Sequence, residues 1–172
     1  MILNSFLQSA HRARYALILA CAVVITFAAS VTAARAGAPP VVNDLAAVIK
    51  LAREQRVPVF VAFTLKRCPY CNSARRDYWT PMHESAEWRA KTLMVEVMLD
   101  GELALRDFDG ATTTAREFAR RFNVRSVPTV IVFNTRGVPV AEPVIGFASA
   151  DFYGAYLDQA VAQGLAKVRE SR

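Results

Sequence analysis

Two cysteines separated by two residues are the most reactive feature of this chain, in the order Cys68-Pro69-Tyr70-Cys71. A pair at this spacing can form a redox-active disulfide, half of a zinc site or a structural bridge. Proline and tyrosine between the cysteines favour a turn from a strand into a helix, which places Cys68 near a helix N-terminus. Backbone N–H groups and the helix dipole stabilise a thiolate there, and the thiolate is the reactive form of cysteine. The motif therefore favours redox chemistry over the two alternatives.

A zinc site would need two further ligands beyond the cysteine pair. Residues 37–172 offer only His83 as another soft donor, and a histidine in that polar context is typical of the surface. We therefore predict no metal, and no cofactor other than a redox-active disulfide between Cys68 and Cys71.

The first 36 residues have the pattern of an export signal. An apolar run covers residues 16–29, and Ala34-Arg35-Ala36 is a small-x-small pattern that suits cleavage before Gly37. The basic start of the segment comprises His11, Arg12 and Arg14. The alternative is an uncleaved anchor, because no charge stands between Arg14 and Arg35, but that stretch is barely long enough to span a bilayer. We predict a cleaved signal peptide and a periplasmic protein.

Removal of the leader changes the composition of the chain. The leader carries three of the 21 basic and none of the 15 acidic residues, so the net formal charge falls from +6 to +3. This mild charge, without a basic run interleaved with aromatic residues, excludes nucleic acid as a predicted partner. Residues 37–172 have the length of one compact domain. They keep two cysteines, so in an oxidising compartment the pair has no third cysteine with which to exchange.

The first half of this domain predicts a helix, a strand and a second helix around the motif. Asn43 or Asp44 can cap a helix that runs to about Arg56. Residues 57–63 (VPVFVAF) are apolar nearly throughout, as in a central strand covered on both faces. A helix follows from about Tyr70, and Pro81 is expected to kink or end it.

The middle of the domain predicts a buried strand, a loop and a short helix. Residues 92–100 alternate strictly, and Glu96 is the one acid embedded among the apolar residues of this predicted buried strand. Residues 101–114 are mostly polar and predict a loop, with a short helical turn around residues 103–106. A threonine among residues 112–114 can cap a helix over residues 115–122.

The last part predicts a β-hairpin and a final helix. Residues 130–133 form a strand, residues 134–137 (NTRG) a turn, and residues 138–145 the returning strand. The final helix runs from Ser149 or Asp151 to about Val168. Its predicted buried residues are Phe152, Tyr156, Leu157, Val161 and Leu165. The order of elements predicts an α/β fold in which a mixed central sheet is covered by helices on both faces.

The motif and the segment 122–133 (FNVRSVPTVIVF) together resemble the thioredoxin superfamily. The segment is similar to the one around that family's cis-proline, here Pro128, and the resemblance covers residues 44–165. Within the superfamily the chain is most similar to exported bacterial thioredoxin-like reductases, including those associated with periplasmic sulfur oxidation. The resemblance implies that Cys68 is the nucleophile and Cys71 the resolving thiol. It also implies that Tyr70 contacts substrate and that the backbone of Val127, beside Pro128, pairs with a substrate strand.

Three positions depart from the family pattern. Ala62 stands where thioredoxins have a buried aspartate that accepts a proton. Arg67 replaces the tryptophan before the first cysteine and adds a positive charge beside the thiol. Phe147 follows Gly146 where glutaredoxins have a second glycine, which puts glutathione binding in doubt.

Two charged residues are candidates for tuning the cysteine pair. Glu96 falls near the position of a buried lysine in thioredoxins, where a carboxylate could accept the proton of Cys71 in place of the absent aspartate. The alternative is an acid at the strand end that reaches solvent. Arg67, with Lys66, would lower the pKa of Cys68 if the two side chains face it, and otherwise both are solvated surface charges.

The function expected from the resemblance is an exported thiol–disulfide oxidoreductase that reduces disulfides of partner proteins. Its electrons would come from an upstream thiol donor. The alternatives are a periplasmic dithiol oxidant and a non-catalytic binding or chaperone module of the same fold. We predict a monomer that has no stable association with a membrane once the leader is cleaved.

Overall fold

The computed structural model describes residues 37–147 and 150–170, which fall within one compact unit. The predicted leader lies outside the described residues. The elements in chain order are α1 (Leu45–Gln55), β1 (Val59–Thr64), α2 (Pro69–Ala74), a π-helical turn (Arg75–Trp79), α3 (Thr80–Glu84), α4 (Ala86–Arg89), β2 (Leu93–Met98), β3 (Leu105–Arg106), β4 (Thr112–Thr113), α5 (Ala115–Arg121), β5 (Thr129–Phe133), β6 (Val144–Ile145) and α6 (Ala150–Glu170).

Four strands form the main sheet, in the order β2-β1-β5-β6. β1 runs parallel to β2 and antiparallel to β5, and β5 runs antiparallel to β6. Every residue of β1 is buried, as its apolar sequence predicts for a strand paired on both sides. The predicted mixed sheet is confirmed.

The two faces of β1 pack against different helices. Val61 and Phe63 point to a cluster that contains residues of α1 and α5. Phe60 and Ala62 point to a second cluster, with Trp79 of the π-helical turn and residues of α6. Because successive side chains of a strand alternate between its faces, this division follows from the register alone. The prediction of helices on both faces is confirmed.

Two helices begin at the residues that the sequence predicts. The Asp44 carboxylate accepts a hydrogen bond from the Ala47 N–H at 2.9 Å and caps α1. Thr114 and Glu117 form a capping box at the start of α5. Such caps satisfy N–H groups that have no partner within the helix, which fixes where each helix starts.

The helix after the cysteine motif is longer than the sequence indicates. α2, the π-helical turn and α3 are contiguous, and we call them the motif helix (residues 69–84). Pro81 does not end it, because the proline lies in the first turn of α3 and the helix continues to Glu84. Pro81 has no N–H to donate to Asp77, and the wider turn, in which the Thr80 N–H bonds to the Arg75 carbonyl, lies at that point.

Residues 101–114 contain a short hairpin in place of the predicted helical turn. Leu105 of β3 pairs with Thr113 of β4, and the Leu105 side chain is buried. The Asp107 carboxylate accepts hydrogen bonds from the N–H groups of Asp109 and Ala111, which holds the connecting turn. The prediction was wrong because a single buried leucine in a polar stretch gives no clear period.

The returning strand of the second hairpin is much shorter than predicted. Only Val144–Ile145 forms β6, and an isolated bridge joins Phe133 to Pro139. Pro139 and Pro143 have no N–H group to donate to a ladder, so continuous pairing over residues 138–145 fails.

The final helix, α6, buries a face rotated by about one residue from the predicted one. Leu157 and Val161 are buried as predicted, but Phe152 and Tyr156 are 61% and 56% exposed, and Tyr153 is buried instead. Leu165 is half-buried. Although α6 has 21 residues, neither it nor another helix in the described ranges has the length and apolar character needed to cross a membrane.

Candidate active site

Cys68 and Cys71 lie at the start of the motif helix and form a disulfide. Cys68 is the N-cap residue of α2, with an extended backbone at φ −125° and ψ 101°. Pro69 occupies the first helical turn, where its missing N–H costs no hydrogen bond. The sequence Cys-Pro-Tyr-Cys thus places the first sulfur where a helix begins and the second one turn inside it.

The two sulfurs have different surroundings. The Cys71 N–H donates to the Cys68 sulfur at 3.1 Å. Cys68 retains 7% exposure and Cys71 none, so Cys68 is the more accessible of the two residues. After reduction, the same N–H is placed to stabilise a thiolate on Cys68. The geometry therefore distinguishes a slightly exposed cysteine at the helix start from a fully buried cysteine one turn inside the helix.

The surface beside the motif is basic and contains an exposed aromatic ring. Tyr70 is 65% exposed, and Lys66 and Arg67 are also exposed. The Lys66 backbone N–H donates to both carboxylate oxygens of Asp100, at 3.0 and 3.2 Å, which anchors the loop before Cys68. Within the described residues, no hydrogen bond or ion pair fixes the side chain of Arg67. Its effect on Cys68 stays a prediction.

Val127 and Pro128 lie at the same end of the sheet as the disulfide. The peptide bond between them is cis, and Pro128 is buried. The register pairs Phe63 with Thr129, so the end of β1, which leads to the motif, and the start of β5 are adjacent. The Pro128 carbonyl accepts from the Gly146 N–H at 2.7 Å, whereas Val127 makes no backbone hydrogen bond within the described residues.

Glu96 is buried in the sheet under the motif helix. Glu96 of β2 pairs with Ala62 of β1, and both side chains lie on the sheet face that the motif helix covers. Glu96 is 1% exposed, so the alternative of a solvated acid at the strand end is wrong. A buried carboxylate requires a partner of opposite charge or several donors.

Arg75 supplies that partner. Its Nε donates to Oε1 of Glu96 at 2.8 Å, and a terminal nitrogen donates to Oε2 at 2.6 Å. A further nitrogen donates to Oδ1 of Asn72 at 2.8 Å. The hydrogen bond to Glu96 raises the pKa of Arg75, against the opposing effect of partial burial. Both carboxylate oxygens are therefore engaged in the disulfide form.

Sequence reasoning did not identify Arg75. A signal was present, because Arg75 follows Cys71 by four residues and so lies on the same face of the helix. A buried acid at position 96 also requires a positively charged partner, and the helix that covers the sheet can supply one. Neither clue specifies a contact until the strand register is known.

The aromatic residues near the motif pack in the core. Trp79 is fully buried and Trp88 is 8% exposed. Tyr78 contacts the ring of Tyr153, and the Trp79 Nε1–H donates to the Tyr153 hydroxyl at 3.1 Å. Burial raises the pKa of Tyr153, and this tyrosine is accordingly a packing residue.

The described residues contain no cluster of three or more His, Cys, Asp or Glu side chains that could hold a metal. His83 is half-buried, and its Nδ1 lies 2.8 Å from the Gly37 carbonyl oxygen. This contact joins the start of the described chain to α3.

Comparison with known proteins identifies one matching family model. Residues 45–161 match the thioredoxin-like domain. The fold resembles thioredoxin f from spinach chloroplast, with a TM-score of 0.50, 15% identity and coverage of 74% of this chain and 95% of that one. It also resembles thioredoxin O2 from Arabidopsis thaliana in the oxidised state, with a TM-score of 0.50, 16% identity and coverage of 73% and 95%. Identities this low establish similarity of fold alone. No curated protein matches the chain by sequence.

Proposed function

Because the chain belongs to the thioredoxin-like domain family and contains a disulfide between Cys68 and Cys71, we propose that it reduces disulfides in partner proteins. The fold and the disulfide support a thiol–disulfide oxidoreductase in general. The direction of electron flow, the partner and the cellular compartment are the specific parts of this proposal.

One observation carries the proposal, namely the asymmetry of the cysteine pair. Cys68 is the more accessible sulfur and accepts an N–H hydrogen bond from Cys71, while the Cys71 side chain is fully buried. A structural bridge has no need of this difference. A dithiol that must first attack a large partner and then release it does need it.

The reaction transfers two electrons from the cysteine pair of this protein to the disulfide of the partner. The Cys68 thiolate attacks one sulfur of the partner disulfide, a mixed disulfide forms, and the second partner sulfur leaves as a thiolate that takes up a proton. Cys71 then loses its proton and attacks the Cys68 sulfur, which releases the first partner sulfur as a thiol. The protein ends as the Cys68–Cys71 disulfide, and a dithiol donor restores the reduced form.

Glu96 is our proposed acceptor of the Cys71 proton. It lies on the sheet face under the motif helix, opposite Ala62, where the family's usual aspartate is absent. Its partner Arg75 belongs to the same helix as Cys71 and binds both carboxylate oxygens in the disulfide form. Release of one carboxylate oxygen from Arg75 would free it to accept a proton.

The direction of electron flow is inferred from the segment around Pro128. Its resemblance to the reductase pattern favours a reductase. The backbone groups of Val127, which make no hydrogen bond in the described part of the chain, could pair with an extended substrate strand. A positive field from Arg67 would stabilise the thiolate and favour the opposite, oxidising direction. A measured reduction potential against glutathione decides between them, since a reductant must lie below the potential of its substrates.

Export to the periplasm remains a proposal that is based on the pattern of residues 1–36. The protein would act there as a soluble monomer on partner proteins and accept electrons from an upstream thiol donor. N-terminal sequencing of the protein from cells should give a start near Gly37. Recovery of Met1 on a membrane-bound species would replace this proposal with an anchored protein.

Reduction of insulin with dithiothreitol as the electron donor tests the activity. We expect catalysis by the wild type, none by Cys68→Ser, and a stable mixed disulfide with insulin in Cys71→Ser. Ser73→Ala, at a half-buried position in the same helix, is the control. Equal rates for wild type and Cys68→Ser would contradict the proposal and favour a binding module in which the cysteines only staple the helix.

A further inference from the structure

A groove lies beside the active site and has an apolar floor. It encloses about 350 Å³. The floor residues are Leu65, Leu99, Ala119, Val124 and Val127. Leu65 follows β1 and precedes Cys68 by three residues, and Val127 precedes Pro128 at the start of β5. Because Phe63 pairs with Thr129 across these strands, the groove opens at the end of the sheet that carries the disulfide.

Three arginines form the rim of this groove: Arg116, Arg120 and Arg125. No acidic residue lines it. Arg120 is partly offset by Glu117, whose carboxylate lies 3.7 Å away, but Arg116 and Arg125 have no ion pair within the part of the chain that the structure describes. All three arginines are exposed, and the Nε of Arg125 donates to Oδ1 of Asn123 at 2.8 Å. Several positive charges around an apolar floor attract a partner segment of opposite charge.

We propose that this arginine-rimmed groove binds an extended segment of the partner protein in which an apolar side chain, flanked by carboxylates, lies next to the disulfide to be reduced. The apolar side chain fills the floor, and the carboxylates pair with Arg116 and Arg125. The inference depends on the proposed function and adds the chemistry of the substrate. A nucleic acid does not fit, because no aromatic side chain lines the groove for base stacking.

Two synthetic peptides with one internal disulfide each test the inference. Both carry leucine beside a cysteine, flanked by glutamates in one peptide and by lysines in the other. The reduced full-length protein should reduce the acidic peptide about tenfold faster than the basic one at low salt, and the difference should shrink as salt screens the charges.

Charge reversal in the groove should invert this preference. In Arg116→Glu/Arg125→Glu, the rate should fall for the acidic peptide and rise for the basic one, each by about tenfold. The rise cannot come from unfolding. Arg136→Glu is the matched control, because its exposed side chain lies in the turn at the opposite end of β5, and it should keep the wild-type preference.

A small uncharged disulfide, 2-hydroxyethyl disulfide, separates the two levels of the proposal. If the wild type reduces it but reduces both peptides at equal rates, the groove inference is overturned and the oxidoreductase function stands. The same conclusion follows if Arg136→Glu alters the preference as much as the groove variant does. If the wild type reduces none of the three disulfides, the proposed function fails, and this inference falls with it.

Discussion

Arg75 binds both carboxylate oxygens of the buried Glu96, at 2.8 and 2.6 Å, and thereby ties the motif helix to strand β2 beneath it. Arg75 is about one-quarter exposed and Glu96 almost fully buried, so the pair extends from solvent into the core. It is the ionic contact closest in sequence to the cysteines, and two predictions depend on it.

Glu96→Gln should leave the first attack by Cys68 nearly unchanged and slow the resolution step by about tenfold or more, because the amide cannot accept the Cys71 proton. Mixed disulfide with a substrate should accumulate, most visibly near neutral pH. Rapid quenching and mass spectrometry would measure it. Glu54→Gln, in α1 on the opposite sheet face, is the control for loss of a carboxylate. Unchanged resolution would assign the proton to water or to another group.

Arg75→Met should lower the free energy of unfolding of the oxidised protein by about 2 kcal/mol, because it leaves a buried carboxylate unpaired. The partial exposure of Arg75 keeps this figure below that of a fully buried pair. The double variant Arg75→Met/Glu96→Gln should recover part of the loss. Urea unfolding of the four proteins measures the coupling, and strictly additive effects would mean that the two side chains do not stabilise each other.

The Cys68 thiol should have a pKa below that of a free cysteine, since the Cys71 N–H and the start of the motif helix stabilise its thiolate. Thiolate absorbance followed against pH in the reduced protein measures this. Arg67→Gln should raise the pKa of Cys68, and Arg136→Gln should not. A midpoint equal to that of free cysteine would contradict an activated nucleophile, and an unchanged midpoint in Arg67→Gln would make Arg67 a solvated charge.

Gly137→Ala should lower the free energy of unfolding by about 2–3 kcal/mol. Gly137 has φ +76°, and an added Cβ would lie 2.7 Å from a ring carbon of Phe108, which packs against Phe118 and Phe133. Gly146→Ala is the matched control. Its φ is +78° with no heavy atom within 4 Å of the added Cβ, so only backbone strain of about 1 kcal/mol is expected. Equal losses would show that the Phe108 contact is unimportant.

Asp107→Asn should lower the free energy of unfolding by an amount that depends on pH. Burial alone would raise the pKa of Asp107, but bonds from Arg121 and from two backbone N–H groups outweigh it and lower the pKa below 3.8. The wild-type carboxylate therefore stabilises the fold above about pH 3.8, and this contribution is lost as the pH falls through the lowered pKa. We expect the free energy of unfolding of the variant to be about 1 kcal/mol below that of the wild type at neutral pH, and this difference should shrink in acid.

Urea unfolding at several pH values measures this deficit. Asp109→Asn, with an exposed side chain in the same turn, is the control. A difference in the free energy of unfolding that stays constant down to acidic pH would mean that the negative charge of Asp107 contributes nothing.

The strands with a clear apolar pattern were predictable, and the elements shaped by single residues were not. β1 is apolar nearly throughout and β2 alternates, and both strands lie within two residues of their predicted positions. β6 is short because two prolines interrupt the ladder, an effect whose extent depends on which N–H groups face β5. In α6, apolar residues occur on more than one face, so the sequence does not fix which face is buried. Gly154 leaves room for the ring of Tyr78, which helps to select the rotation of the helix that is observed.

The candidate site was predictable where its residues are contiguous. The position of Cys68 at a helix start follows from the motif itself, and the adjacency of Pro128 follows from the order of strands. Arg75 and the arginine rim were missed, since each depends on side chains from separate elements meeting across a register. The local sequence indicates which chemistry a residue can perform, but it does not identify the residue from another element that contacts it.

The segment before α1 has a consequence for the behaviour of the protein in solution. Val42 donates to the Glu96 carbonyl and the Glu96 N–H donates to the Pro40 carbonyl, both at 2.9 Å, so residues 40–42 cover the outer edge of β2. The opposite edge, β6, offers only two paired residues. Neither side of the sheet thus presents a long open ladder on which another chain could extend it. The covered edge and the short edge together disfavour edge-to-edge pairing between copies of the protein.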